Sequence, residues 1–240
     1  MSTIFERCML GPAPALIARP QNSTGPLPTI LWFHGFTADK EINRLELEQF
    51  ARAGFLAVGI DAVGHGERRN SEIDHPGAGP TGDARQVFHR LVEQTVREVP
   101  QIVDALRHLA LSDHRRLGAV GVSMGGYITY GAIAAEPRLL AAVALLGSPQ
   151  SPGSGSAHRS PNLFFPTALL SVTAERDDVV PPGPARALHG ALTPVYADQP
   201  ERLRYREVKG AGHIMDQQDW DAVIQEAVSW MVRFVADAHR

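Results

Sequence analysis

Cysteine is nearly absent: Cys8 is the only one, so no internal disulfide can form, and its use is compatible with a reducing compartment. Long apolar runs are missing as well, and none approaches the ~20 residues that a bilayer-spanning helix needs. Charge of one sign is scarce. The net charge is −3, from 23 basic and 26 acidic residues, which gives no electrostatic footprint for nucleic acid or an anionic membrane. The two basic pairs, Arg68-Arg69 and Arg115-Arg116, read as solvated loop charges. Paired metal-ligand spacing such as H-E-x-x-H is absent, so neither a metal nor a cofactor is expected. The first ten residues carry Glu6 and Arg7 inside an apolar stretch and have no basic segment followed by a long apolar one. They do not read as a secretory signal, and a cytoplasmic location is expected.

What is present is an ordinary globular composition, 44% hydrophobic and 20% charged over 240 residues, enough to bury a substantial core. Strand-like and helix-like segments alternate. Residues 29–33 form a continuous apolar run that ends in His34-Gly35, as a buried parallel strand meeting a loop would. Ile42, Leu45, Leu47, Phe50 and Ala51 follow at helical spacing, with Gly54 closing the helix. Further strands are expected over 55–60, 117–122, 139–146, 168–173 and 203–208. Helices are expected over 83–111, where Pro100 should kink or split the run, and over 124–135, 184–192 and 220–234. Residues 4–10 and 15–18, around Gly11-Pro12, read as an antiparallel hairpin at the sheet edge. Such alternation requires a mostly parallel sheet with helices on both faces, here as one α/β domain over residues 1–240. Two stretches, 67–82 and 148–161, are polar and rich in Gly, Pro or Ser, and each follows the end of a strand. Ligands bind at such ends in open α/β sheets.

The residues that carry chemistry begin with Gly121-Val122-Ser123-Met124-Gly125, a G-x-S-x-G pattern with an apolar strand before it and a helix after it. A strand turning sharply into a helix strains the serine backbone, and a Cβ at either glycine would crowd the turn. The hydroxyl is thereby exposed above the sheet, where the helix N-terminus offers N–H groups to a developing negative charge. A serine needs a base to take its proton. Of ten histidines, His213 lies in a glycine-flanked loop after the last strand, where the order nucleophile, acid, base puts it. His34 and His65 precede Ser123, and His158 precedes every candidate acid. His75 lies on a loop. His89, His108, His114, His189 and His239 read as solvated helix or helix-end residues. The acid must come from the loop after strand 168–173, where Glu175, Asp177 and Asp178 compete. At the other rim, His34-Gly35-Phe36-Thr37 follows the third strand, where the fold supplies the second oxyanion donor as a backbone N–H, so the identity of Phe36 matters less than its backbone path.

In this order, His34-Gly35-Phe36-Thr37, then Asp61 to Arg68, then the elbow, then the acid and histidine loops, the chain resembles the α/β-hydrolase superfamily. It is most similar to the compact bacterial carboxylesterases of the dienelactone-hydrolase and prolyl-oligopeptidase-like branch. The resemblance implies an eight-stranded sheet with an N-terminal antiparallel hairpin and a minimal cap. It aligns Val180-Pro181 with the family's acid loop, which puts Asp177 on the catalytic aspartate and Asp178 second. The implied machinery is a Ser123–His213–Asp177 triad with an oxyanion hole from the N–H groups of Phe36 and Met124. His65 belongs to a structural turn. A serine nucleophile, where dienelactone hydrolases use cysteine, argues against that particular reaction. A small-molecule ester is the expected substrate, with thioesters or small peptides as alternatives and a non-catalytic binding protein as the rival class. The segment 147–166, where larger relatives insert a helical cap, is dominated by Ser, Gly and Pro. It offers little apolar area to bury at ~25 cal/mol per Å², so a shallow site for acetyl to butyryl esters is expected, with Phe88 and Leu91 equally open as walls or as core.

Overall fold

The protein is represented by a computed structural model that describes residues 2–74, 83–150 and 161–237. Its strands are β1 (Thr3–Leu10), β2 (Ala13–Pro20), β3 (Leu27–Phe33), β4 (Leu56–Ile60), β5 (Ser112–Val122), β6 (Leu139–Leu145), β7 (Ala168–Ala174) and β8 (Leu203–Val208). Among the described residues these eight form one sheet in the order β1-β2-β4-β3-β5-β6-β7-β8. The β1–β2 and β2–β4 pairs are antiparallel, and all other neighbours are parallel. This is the α/β-hydrolase fold, with its N-terminal hairpin.

The helices are α1 (Arg44–Arg52), the short α2 (Ser71–Asp74), α3 (Ala84–Leu106), α4 (Met124–Ala135), α5 (Gly183–Leu192) and α6 (Gln217–Met231). Side chains alternate faces along β3. Ile30 and Trp32 pack with Leu47 and Phe50 of α1 and with Ile224 and Met231 of α6. Leu31 and Phe33 pack with Val92 and Val99 of α3 and with Met124 and Ile128 of α4. This period-2 alternation makes the middle strands apolar on both faces. Leu188 and Leu192 of α5 join Tyr130 and Ile133 of α4 on the second face.

Several expectations are corrected. Ile42 and Leu45 are exposed rather than core-facing: α1 starts after Ile42, and its inward stripe runs through Leu47, Phe50 and Ala51. The long helix ends at Leu106, not near 111, and it continues through Pro100 without a break. β5 starts at Ser112 and takes in His114, which is therefore a strand residue. The basic pairs are only partly solvated. Arg68 reaches inward to the Asp61 carbonyl at 2.7 Å and to Glu98 at 2.8 Å, and Arg116 pairs with Asp113 at 2.7 Å. Of the two polar stretches, 75–82 and 151–160 lie outside the described residues, as do His75, His158 and His239. Among the described residues, no helix is long and apolar enough to cross a membrane.

Candidate active site

The strand-to-helix junction at Ser123 has the geometry its glycines require. Ser123 sits at φ 55°, ψ −114°, a left-handed backbone that an L-residue adopts only when its surroundings impose it. Those surroundings are tight: a Cβ on Gly121 would lie 2.1 Å from the Gly125 carbonyl oxygen, and one on Gly125 would lie 2.0 Å from the Phe33 carbonyl oxygen. The elbow is thus wedged against the end of β3. Ser123 N–H is fixed by the Leu145 carbonyl at 2.8 Å, which ties the turn to β6.

Ser123 Oγ lies 3.0 Å from His213 Nε2, and His213 Nδ1 lies 2.7 Å from Asp177 Oδ2. With the Nδ1 proton donated to the carboxylate, Nε2 is left to accept from the serine hydroxyl. The remaining oxygen, Asp177 Oδ1, accepts the N–H groups of Val179 at 3.0 Å and Val180 at 2.7 Å. Asp177 is buried, whereas Asp178 and Glu175 are exposed. Glu175 serves the backbone instead, accepting Gly210 N–H at 2.7 Å. Together with the Arg176 N–H bond to the Ala211 carbonyl, 2.8 Å, this lashes the acid loop to the histidine loop.

On the opposite rim, the loop after β3 passes directly beside Ser123, since a Cβ on Gly35 would lie 3.8 Å from Ser123 Cβ. Among the described residues, neither Phe36 N–H nor Met124 N–H has a protein acceptor, so both remain available to a ligand oxygen. His34 is fully buried behind them. Its Nδ1–H donates to the Gly35 carbonyl at 2.7 Å, and its Nε2 accepts Ala62 N–H at 3.1 Å. Burial lowers its pKa to about 4 despite the Gly35 bond, so the ring is a neutral strut. His65 is equally buried, donates to the Val63 carbonyl at 2.9 Å, and packs edge-on against Phe36 with ring centroids 5.4 Å apart.

Ser123 opens into a cleft of about 610 Å³ lined by Phe36, Phe88, Tyr127, Val180, Pro181 and Pro184, with His89 and Gln150 among its polar contributors. Of the two residues left open between wall and core, Phe88 is a wall and Leu91 is core. Val179, also in the lining, is strongly exposed. Two histidines expected to be solvated are buried. His89 packs edge-on against Tyr127 at the cleft, and burial, with the nearby Arg85 charge, lowers its pKa. His189 lies 2.8 Å from Ser171 Oγ, and burial lowers its pKa to about 4. Tyr127 was legible in principle: it lies four residues after Ser123 and so on the same face of α4. Among the described residues, no group of three or more His, Cys, Asp or Glu side chains is placed to hold a metal ion.

Comparison with known proteins places this geometry in context. The family model described as PET hydrolase-like matches residues 10–240. YitV of Bacillus subtilis (strain 168), named provisionally as an esterase, is 26% identical, with 91% of this chain and 94% of YitV covered. Among solved structures, TT1662 from Thermus thermophilus superposes with a TM-score of 0.80 at 22% identity, covering 98% of this chain and 99% of that one. A dienelactone hydrolase from Anabaena variabilis superposes at 0.66 with 20% identity, covering 98% of each. At these identities the structural likenesses establish the fold alone.

Proposed function

The chain belongs to the PET hydrolase-like family, and on that premise we propose that it is a serine carboxylesterase of small, short-acyl esters. In this reading residues 1–240 act as one catalytic domain, in the cytoplasm. Ser123 is the nucleophile, His213 the general base and acid, and Asp177 the residue that orients the ring. The observation that carries the reading is the continuous chain of contacts, 3.0 Å from Ser123 Oγ to His213 Nε2 and 2.7 Å from His213 Nδ1 to Asp177.

The chemistry follows from that chain. His213 Nε2 takes the hydroxyl proton as Ser123 Oγ attacks the ester carbonyl carbon. Asp177 stabilises the imidazolium that forms. The carbonyl oxygen, now negative, is received by the N–H groups of Phe36 and Met124, neither of which is engaged by an acceptor among the described residues. His213 then returns the proton to the departing alcohol, leaving the acyl group on Ser123. Water, deprotonated by the same histidine, attacks the acyl-enzyme and frees the acid.

Substrate size is argued from the cleft. A volume of about 610 Å³ falls within the range of small-ligand sites, and the exposed Val179 in its lining supports an open mouth rather than an enclosed channel. A series of p-nitrophenyl esters from acetate to decanoate tests the reading. It expects kcat/KM to peak between acetyl and butyryl; a preference for acyl chains of ten or more carbons contradicts it.

A further inference from the structure

The loop that carries Phe36 has to hold an unfavourable shape. Thr37 sits at φ 65°, a left-handed conformation that costs a threonine free energy. The turn itself is closed by one long bond, Ala38 N–H to the Gly35 carbonyl at 3.3 Å. Something outside the turn must fix it. Two side chains bracket it, and both reach the same place, the end of β4. Upstream, His34 Nε2 accepts Ala62 N–H at 3.1 Å. Downstream, Lys40 engages Asp61 twice, through its backbone N–H to Oδ1 and its Nζ to Oδ2, each at 2.9 Å.

The Lys40–Asp61 pair is a built feature. The two side chains are 4% and 0% exposed. Asp61 also accepts Glu67 N–H at 3.0 Å, and the Glu67 carboxylate closes the group by lying 2.6 Å from Lys40 Nζ. Burial works against the Lys40 ammonium, but the hydrogen bonds to Glu67 and Asp61 overcome it and hold its pKa above the ordinary value. Gly66, at φ 56°, leaves the space the carboxylate fills, since a Cβ there would lie 2.1 Å from it. The chain has only two lysines against twenty-one arginines. A compact ammonium fits between two carboxylates where a planar guanidinium would need a wider fork. A buried ion pair is a poor source of net stability, because desolvation offsets most of the attraction. What it does provide here is fixed geometry four residues from Phe36.

We propose that Lys40 is a positioning residue for the oxyanion hole, its ion pair with Asp61 holding the 35–38 turn so that Phe36 N–H faces the oxyanion. This rests on the assignment of Phe36 as a donor in the proposed esterase. The test compares wild type, Lys40→Met and Lys40→Met/Asp61→Asn in the full chain. It measures kcat and KM on p-nitrophenyl butyrate, Ki for a trifluoromethyl ketone whose adduct oxygen occupies the hole, and Tm. Removing one oxyanion donor costs ~10²–10³ in kcat, so a misaimed donor should cost about tenfold or more, with KM within about twofold. The ketone should weaken by the same factor as kcat/KM falls. The double variant removes both charges and so recovers Tm, but not kcat. Wild-type kcat in either variant overturns the proposal, as does recovery of kcat in step with Tm, or a loss confined to KM. If the single variant does not fold, the double variant decides. Fluorophosphonate labelling of wild-type Ser123 tests the underlying esterase reading separately, so the two failures are distinguishable.

Discussion

Asp177 uses its two carboxylate oxygens differently: Oδ2 lies 2.7 Å from His213 Nδ1, while Oδ1 accepts the Val179 and Val180 N–H groups at 3.0 and 2.7 Å. The aspartate is therefore held by its own loop through one oxygen while the other meets the His213 ring. Asp178, one residue on, faces solvent. Asp177→Asn is expected to lower kcat by ~10³–10⁴, because an amide favours the wrong imidazole tautomer. Asp178→Asn is expected to stay within about twofold of wild type. Steady-state kinetics of the two purified variants make the comparison, and equal losses would remove Asp177 from its special place.

The pH dependence of stability follows from two buried histidines. His34 and His189 each have a pKa lowered to about 4, chiefly by burial, against ~6.5 in an unfolded chain. The depressed value means that the unfolded state binds protons first as pH falls. The contribution of each group is complete above about pH 6.5, declines toward pH 4 and is gone below it, at up to ~1.4 kcal/mol per pH unit per group. Tm should therefore fall steeply from pH 6.5 to 4. His189→Gln, which keeps a partner within reach of Ser171, should flatten that slope by about one proton. An unchanged slope would count against the buried, neutral ring.

The elbow glycines make a stability prediction that is also a functional one. A Cβ on Gly121 would meet the Gly125 carbonyl oxygen at 2.1 Å and Thr129 Oγ1 at 2.7 Å, and the carbonyl, being backbone, cannot yield without moving α4. Gly121→Ala should cost about 2–4 kcal/mol and lower turnover by more than tenfold through displacement of Ser123. Urea unfolding and ester kinetics on the same sample measure both. A variant as stable and active as wild type would show the junction to be looser than described.

Much of this site can be read along the chain, because its signals are local. Strands of continuous Val, Ile, Leu and Ala declare burial on both faces, and the G-x-S-x-G pattern names its own strand–turn–helix context. His213 stands alone between glycines after β8. What cannot be read depends on residues far apart in sequence. Glu175, Asp177 and Asp178 stay open on residue types alone, and only the family's Val-Pro spacing separates them. Ile42 and Leu45 fit a helical stripe, yet the chain enters α1 after Ile42, and the sheet selects a different face. His189 passes for a surface residue until Ser171, on β7, is found beside its ring. Lys40 gives no sign of burial until Asp61 and Glu67 arrive from another loop.

Whether Ser123 is the nucleophile can be decided by labelling the wild-type protein and Ser123→Ala with a fluorophosphonate, mapping the adduct, and measuring p-nitrophenyl butyrate turnover on the same preparations. One adduct is expected, on Ser123, absent from a normally folded Ser123→Ala whose turnover is lower by ~10⁴ or more. An adduct on another residue, or near-wild-type turnover by the pure variant, would contradict the assignment.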